Sequence, residues 1–476
     1  MNIQSNNYHY QKTLFTFAAL LVVVGFFVFS TSPAHAASVY YVDKDSKGGT
    51  CSDSNPGTIT QPWCAIGKAK RSSGAVQPGD TVYVRGGTYY FSQNSVKFGY
   101  TGNDSGDLGN PIIYKSYPGE SVIFDGQNNV TFFSISSCYG NSDNLVFDGF
   151  NFRNHVIAFA VRSSRNIIIK NMVMTDGGKA NQGAGEINVG RISSPSCPHS
   201  ENVIIENNLI SNPGLTGTYH GLYLAGINIT VRNNTIHGSS GAGILIQIHE
   251  DRYEDTKNMW IYGNELYNNS GGIGITRWEH LNYNGVTENV NIFNNLVWGN
   301  KRGGISIRGG TTNDIFVYHN TVLNNPEYGI LLEDSGRYYL KNNIAFGNGD
   351  ILSYGNGDFV LDNNINTSNI YFTNNVIVVY KSSHGNQDNY FNSILIPSNI
   401  ITDPLFLSTD PSNSNFLKLS PTSPAINKGV NVGITTDYIG TSRPQGAGFD
   451  IGAYEYPSGG SGDITPPSAP TGVTVS

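Results

Sequence analysis

The chain has 476 residues, only 13% of which are charged, and its formal net charge at pH 7 is −7. This balance argues against nucleic acid as a partner, because binding to phosphates requires clusters of basic residues. It also means that a polyanionic substrate would need a local basic cleft.

The N-terminus has the pattern of an export signal. Residues 14–29 form an uncharged run that follows Lys12, and Ala34, His35 and Ala36 form a small-residue cleavage pattern. The run is slightly short for a bilayer span. We therefore predict a signal peptide over residues 1–36, cleaved after Ala36 or Ala37, and a mature protein without a membrane span. The predicted location is secreted or cell surface.

Export places the four cysteines in an oxidising compartment, where disulfides form. Cys51, Cys64, Cys138 and Cys197 allow three pairings. We expect Cys51–Cys64 from its proximity in the sequence, with the bridges stapling loops.

Residues 38–125 are predicted to form an N-terminal cap and the first coils of a repeated structure. Strands are expected at residues 39–42 and 80–85, with a short helix over residues 63–75 between them. Residues 103–107 are predicted to form a turn rather than a calcium loop. A covering element is needed because the open end of a stack of coils exposes sheet edges and core.

The centre of the chain repeats a pattern of short strands. A first strand such as residues 202–208 (NVIIENN) is followed by a variable stretch and then by a second strand such as residues 221–226 (GLYLAG). The last asparagine of the first strand recurs at Asn208, Asn234, Asn264, Asn295, Asn320, Asn343 and Asn364. One unit cannot bury its apolar side chains alone, so the units are predicted to stack as a solenoid.

This repeat resembles that of the right-handed parallel β-helix proteins, whose turns carry an asparagine ladder. Asparagine suits such a turn because it tolerates left-handed backbone angles and its amide bonds the coils above and below. We therefore predict an all-β, right-handed parallel β-helix with its core over residues 126–380 and a C-terminal cap over residues 381–457. The segment 40–89 also resembles the N-terminal part of extracellular β-helix proteins that act on polysaccharides, both lyases and glycoside hydrolases.

Residues 458–476 are expected to lie outside this body. Residues 458–462 have the composition of a flexible linker. Residues 465–475 resemble the opening strand of a fibronectin type III domain, which predicts that the chain is a fragment of a longer multidomain protein.

The side chains between the inward-facing apolar residues of each second strand are predicted to face outward. One outward column is Asn188, Tyr223, Leu245, Gly274, Ser306 and Leu331, and the next is Gly190, Ala225, Gln247, Thr276, Arg308 and Glu333. Residues just before or beyond these strands are Glu186, His220, His249, Arg277, Trp278, Glu279 and His280. The resemblance to known right-handed β-helices implies that this face is the substrate cleft, and long loops lie beside it.

Cleavage of an acidic polymer by β-elimination would use this face. Arg308 is the strongest candidate to meet the uronate carboxylate, because a guanidinium matches a carboxylate in geometry. His249 is the preferred base, and Arg277 and His280 are further catalytic candidates. The predicted substrate-binding residues are Tyr223, Trp278, Gln247, Glu279 and Asn188, with the two aromatic rings as sugar platforms.

A second resemblance concerns calcium. Residues 186–189 (EINV) resemble the acidic calcium-binding strand of the chondroitinase-B and alginate-lyase family, and residues 304–310 resemble its arginine strand. Gly190 or Arg191 stands where that family has a lysine. The resemblance implies calcium as a cofactor, with Glu186 as a ligand.

Two other classes of function remain open. A glycoside hydrolase requires two carboxylates, for which Glu250, Asp251, Glu279, Glu333 and Asp334 are candidates, and an epimerase would use the same scaffold. A carbohydrate-binding or surface protein would bind sugar on this face without reaction. The interpretation we prefer is a secreted, monomeric lyase acting on a uronate-containing polysaccharide.

Overall fold

The computed structural model describes residues 35–92, 96–179, 184–214, 219–249, 255–278, 286–308, 312–333, 336–349, 357–361, 367–377 and 398–457. The chain divides into two units, Met1–Ala36 and Ala37–Ser476. The helical elements of the described residues are the 3-10 turns Ile66–Lys68, Arg71–Ser73 and Thr367–Asn369. The helix expected over residues 63–75 is therefore wrong. Within the described part of the chain, no helix has the length and hydropathy to cross a membrane.

The strands, numbered β1 to β33 along the chain, form three parallel sheets. The first sheet contains β1 (Val39–Val42), β2 (Thr81–Val84), β5 (Ile112–Ser116), β8 (Leu145–Asp148), β11 (Arg165–Lys170), β14 (Glu201–Glu206), β17 (Ile227–Arg232), β20 (Thr256–Tyr262), β23 (Thr287–Phe293), β26 (Thr312–Tyr318), β29 (Gly336–Lys341) and β32 (Ile370–Thr373).

The second sheet contains shorter strands, namely β3 (Gly87–Tyr90), β6 (Val122–Asp125), β9 (Asn151–Arg153), β12 (Val173–Thr175), β15 (Leu209–Ser211), β18 (Thr235–His237), β21 (Glu265–Tyr267), β24 (Leu296–Trp298), β27 (Thr321–Leu323), β30 (Ile344–Phe346) and β33 (Val376–Ile377). The third sheet contains β4 (Val96–Phe98), β7 (Thr131–Ser136), β10 (Ile157–Arg162), β13 (Gly185–Gly190), β16 (His220–Leu224), β19 (Ala242–His249), β22 (Gly271–Trp278), β25 (Gly303–Ile307), β28 (Tyr328–Leu332) and β31 (Gly357–Leu361).

Each full coil thus contributes one strand to every sheet, and the stacked coils enclose one core. Apolar residues alternate along the strands, as in the fully buried Ile187 and Val189 of β13, because successive side chains point to opposite faces. Aromatic rings fill the N-terminal coils, where Phe133 packs against Phe147 and Phe159 at 5.1 Å between ring centroids. Burial of this continuous core is the main force that holds the coils together.

The predicted asparagine ladder is present inside the turn between the first and second sheets. Both the backbone N–H and the Nδ2 of Asn234 donate to Oδ1 of Asn264, at 3.0 and 2.9 Å. The same bonds link Asn208 to Asn343 through every predicted member. After Asn343 the ladder continues at Asn375 rather than at Asn364, which lies outside the described residues. The coil that begins at Asn343 is longer, so the expected spacing fails there.

The left-handed residues are not the ladder asparagines themselves. Asn207, Asn233 and Asn294, each directly before a ladder member, have φ between 51 and 56°. Asparagine tolerates this region better than other non-glycine residues. The adjacent asparagines thus have separate roles, since the first makes the turn and the second bonds to the neighbouring coil.

A second ladder, which was not predicted from the sequence, lies at the turn between the second and third sheets. Oδ1 of Asn269, Asn300, Asn325 and Asn348 accepts from the preceding member of the stack. Asp358 ends it by accepting from Asn348. This ladder fixes the edge from which the strands of the third sheet begin.

Two disulfides tie loops to this scaffold. Cys51–Cys64 is confirmed, and the second bridge is Cys138–Cys197. At the other end, residues 398–457 cover part of the second sheet, with Asn342 donating to the carbonyl of Val430 at 2.8 Å.

Candidate functional site on the third sheet

The strand register places both predicted outward columns on the third sheet. The Cα partners Asn188, Tyr223, Leu245, Gly274, Ser306 and Leu331 follow one another across neighbouring strands. Gln247 is opposite Thr276 in the next column. Arg308 and Glu333 follow it, because their backbone N–H groups bond to Ile275 and Ile307 of the preceding coils. The predicted residues therefore do line up in two columns across the sheet, but their side chains are less exposed to solvent than expected.

Tyr223 is a well-packed member of this surface. It is only 8% exposed, and its hydroxyl donates to Oε1 of Gln247 at 2.9 Å. Its ring lies 5.6 Å from that of His220. The Tyr223–Gln247 bond joins two successive coils and fixes both polar ends, so little of the ring is available as a sugar platform.

His220 is a neutral, buried imidazole beside Tyr223. Its Nδ1 accepts from the backbone N–H of Ala242 at 2.9 Å, which leaves the proton on Nε2. Burial lowers the pKa of His220 to about 4. It is therefore a hydrogen-bonding group of the scaffold at neutral pH and not a proton-carrying cation.

Asn188 and Glu186 do not line an open cleft. Asn188 is 2% exposed, and its Oδ1 accepts from the N–H of Gly185 at 2.9 Å. Glu186 is fully buried and bonds to His155 of the neighbouring coil. A Cβ on Gly177 would overlap the Glu186 carboxylate. The assignment of Glu186 to the outward face is therefore wrong, because its strand position faces the inner corner of the coil.

The calcium expectation can be tested against these residues. The carboxylate of Glu186 contacts an imidazole in the interior, whereas calcium takes six to eight oxygen ligands. Across the described ranges, no group of three or more His, Cys, Asp or Glu side chains is placed to hold a metal ion. The described residues do not fit a calcium site.

Arg308 lies at the edge of the third sheet with two partners. Its Nε is 3.1 Å from the carboxylate of Glu333, and one terminal nitrogen donates to the hydroxyl of Tyr328 at 3.4 Å. The side chain is 36% exposed. It is accessible to a ligand, but an incoming carboxylate has to compete with Glu333.

The remaining predicted residues are placed only by the backbone. His249 is opposite Trp278 on the neighbouring strand. Arg277 is opposite Ile248, so it lies one position before the column that contains His249 and Trp278. Two sheet steps and two residues along the strand separate His249 from Arg308, roughly 12 Å between Cα atoms. Glu279 and His280 lie outside the described residues, as do the carboxylates Glu250, Asp251 and Asp334.

Lys97 is a further member of this face, one that was not predicted from the sequence. Its Cα is opposite Ser134, and the column continues through Ala160 to Asn188. The three-residue strand β4 precedes the regular repeat, so periodicity offered no signal. An exposed lysine at the N-terminal end of the column was the feature to look for.

This architecture is shared with known protein families. Residues 41–212 match a family described as "Pel9A-like, right handed beta helix region", and residues 133–315 match one described as "Right handed beta helix region". The chain is a right-handed parallel β-helix protein. This confirms the predicted fold class.

Individual relatives are more distant. The chain is 34% identical over 116 residues to pectate lyase PEL9 of Emericella nidulans, a match that covers 24% of this chain and 22% of that protein. The match thus spans about a fifth of the curated relative. The crystal structure of pectate lyase Pel9A superposes with a TM-score of 0.51 at 15% identity, over 88% of this chain and 96% of that one. The complex of XylC with xylose gives 0.50 at 12% identity, over 87% and 98%. At such identities the structural likeness shows the fold alone.

Proposed function

We propose that this protein is a secreted, monomeric enzyme that cleaves a uronate-containing polysaccharide by β-elimination on the third sheet. The observation that carries the proposal is the match of residues 41–212 to the Pel9A-like family, supported by the local identity to a pectate lyase. The two disulfides are consistent with an oxidising, extracellular location.

In this proposal Arg308 meets the carboxylate of the sugar that reacts. Glu333 holds the guanidinium in place at 3.1 Å until the substrate carboxylate displaces it. A fixed positive charge at this point stabilises the negative charge that develops when the neighbouring proton leaves. Tyr328 remains as a hydrogen-bond partner and keeps the guanidinium oriented.

His249 is the proposed base. It takes the proton next to the carboxylate, the electron pair forms a carbon–carbon double bond, and the glycosidic oxygen leaves and takes up a proton. Its Cα lies roughly 12 Å from that of Arg308 by sheet spacing, so one sugar unit bound between these two strands would lie near both residues. The proposed neighbours of the substrate also include Arg277 and Trp278, at the end of the next strand β22, and the residues that follow them in the sequence, Glu279 and His280.

Calcium enters the proposal only through the family resemblance. The described residues supply no site for it, so no step is assigned to the ion. Assays with added calcium and with a chelator test this part separately.

The second candidate is a carbohydrate-binding protein without catalysis. The observation that favours it is the pairing of the polar groups already in place, namely Arg308 with Glu333 and Tyr223 with Gln247. Such a surface is rigid enough to bind sugar without reacting with it.

The test is incubation of the protein with a panel of acidic polysaccharides. A lyase releases products that absorb as unsaturated uronates. New reducing ends without that absorbance would indicate a hydrolase and overturn the proposal. Retention on an immobilised polymer without any product would favour the binding protein instead.

A further inference from the structure

A cavity of about 770 Å³ lies at the N-terminal end of the β-helix, away from the site described above. Its lining includes Lys44, Lys70 and Lys97 together with Tyr89, Tyr90 and Tyr100. These residues come from the first turn of the cap, from the 3-10 segment and from strands β3 and β4. The fold therefore gathers three lysines and three tyrosines that are scattered in the sequence.

The cavity is basic although the chain as a whole is acidic. Within the described part of the chain, Lys70 and Lys97 form no ion pair, whereas Lys44 pairs with Asp45. Nζ of Lys70 donates to the carbonyl of Lys97 at 3.1 Å, which holds its charge at the cavity wall. No carboxylate is among the described residues that line the cavity, so a bound anion would be attracted by these ammonium groups without competition from a lining carboxylate.

Of the tyrosines that line the cavity, Tyr90 leaves its ring faces open, whereas Tyr89 is only 5% exposed. Tyr90 is 64% exposed and stacks on no other ring among the described residues. Tyr139 is 65% exposed and lies 6.2 Å from Tyr100. By contrast, the exposed Tyr371 of the first sheet stacks on Tyr339 at 4.7 Å, which covers one face. An aromatic ring beside an ammonium group suits a ligand that has both an apolar face and a negative charge.

The cavity is aligned with the third sheet. Lys97 begins the outward column that passes through Ser134, Ala160 and Asn188 to Tyr223. Four sheet steps separate Lys97 from Tyr223, roughly 19 Å. The hydroxyl of Tyr100, which lines the cavity, bonds to that of Ser134 at 2.8 Å, so the cavity reaches the second position of this column. The column itself is nearly buried at Asn188 and Tyr223, but it gives the direction in which a sugar chain lying over the third sheet would reach the cavity, several units from the catalytic site.

We propose that this cavity is a distal subsite for an acidic sugar unit of the polymer that is cleaved on the third sheet. The ammonium groups of Lys70 and Lys97 bind the carboxylate, and Tyr90 packs against the sugar ring. The inference rests on the proposed function for the identity of the polymer, but its ligand chemistry is read from the cavity itself.

The test measures binding of the full chain to polygalacturonate and to the same polymer with its carboxyl groups reduced to alcohols. Lys97→Gln removes one charge from the cavity. Lys115→Gln is the matched control, because Lys115 lies 5.6 Å from the ring of Tyr83 on the first sheet, as Lys97 lies 5.6 Å from that of Tyr100. Tyr90→Ala and Tyr371→Ala form a second matched pair.

We expect the wild type and Lys115→Gln to bind the acidic polymer equally and the reduced polymer much more weakly. Lys97→Gln should weaken binding of the acidic polymer by roughly tenfold at low salt, since charge-assisted hydrogen bonds are lost. Tyr90→Ala should lose affinity while Tyr371→Ala does not. Equal binding of both polymers by the wild type, or unchanged affinity in Lys97→Gln, overturns the subsite.

The two proposals fail in different ways. If no polymer is cleaved but Lys97→Gln still weakens binding, the catalytic proposal fails and the cavity remains an acidic-sugar site. If unsaturated products form and Lys97→Gln binds like the wild type, the distal subsite fails and the catalytic proposal stands.

Discussion

Replacement of one ladder asparagine should destabilise the β-helix strongly, and Asn264→Ala is the clearest case. Asn264 is fully buried, and its Oδ1 accepts from the backbone N–H and the Nδ2 of Asn234. Its own Nδ2 donates to Val231, Tyr262 and Asn295 at 3.0 to 3.1 Å. Alanine removes all of these bonds without opening a path for water.

The magnitude follows from the partners left behind. The orphaned N–H of Asn234 costs about 1–3 kcal/mol, and each further lost hydrogen bond contributes about 1 kcal/mol. Because several donors share acceptors, we expect a total loss of roughly 3–5 kcal/mol in the free energy of unfolding. Chemical unfolding followed by circular dichroism measures this loss.

The control is Asn268→Gly, an exposed left-handed residue with φ of 53° in the next turn of the same coil. Glycine adopts that conformation without strain, so its effect should stay within about 0.5 kcal/mol. A loss below about 1 kcal/mol for Asn264→Ala, or an equal loss for the control, would show that the ladder hydrogen bonds do not contribute the stability assigned to them.

Three further predictions concern the site and the mature chain. Arg308→Ala should abolish cleavage of the acidic polymer with little change in melting temperature, since its partly exposed ion pair is worth at most about 1 kcal/mol; the matched Arg337→Ala, which breaks an exposed pair with Asp314 on the first sheet, should keep full activity. His220→Asn should reduce the acid sensitivity of folding. The pKa of His220 is lowered to about 4, so as pH falls below about 6.5 the unfolded chain takes up the proton first and wild-type stability drops toward pH 4; identical melting profiles over that window would contradict the assignment. Sequencing of the secreted protein should find a start at Ala37 or Ser38, and a start at Met1 would show that no signal peptide is removed.

The fold was predictable because the residue types that recur in each repeat have a direct physical role in the structure. Alternating apolar residues and paired asparagines indicated the coils and the ladder. The helix over residues 63–75 failed because Gly67 and Gly74 disfavour a regular helix, and Gly74 ends the second 3-10 turn in the left-handed region. The prediction of Asn364 as the next ladder member was wrong because a longer coil separates Asn343 from its partner, Asn375.

The site was less predictable because the position of a residue in an outward column does not show which other side chains pack over it. The alternation along β13 predicts that Glu186 points outward. Its position is close to the turn that begins the strand, however, and neighbouring coils have Gly221 and Gly243 there, where an added Cβ would meet core side chains. Tyr223 is outward in the register and yet buried by its contacts with His220 and Gln247. Lys97 belongs to the same column, but its strand lies too far from the repeat to be aligned by sequence.

The central claim, cleavage by β-elimination, is tested most directly by digestion of polygalacturonate in water enriched in heavy oxygen. Elimination breaks the glycosidic bond without adding water, so the account predicts unsaturated products that carry no heavy oxygen from the cleavage step. The Arg308→Ala variant should give no products under the same conditions. Saturated products that contain one heavy oxygen for each bond cleaved would show hydrolysis and contradict the account.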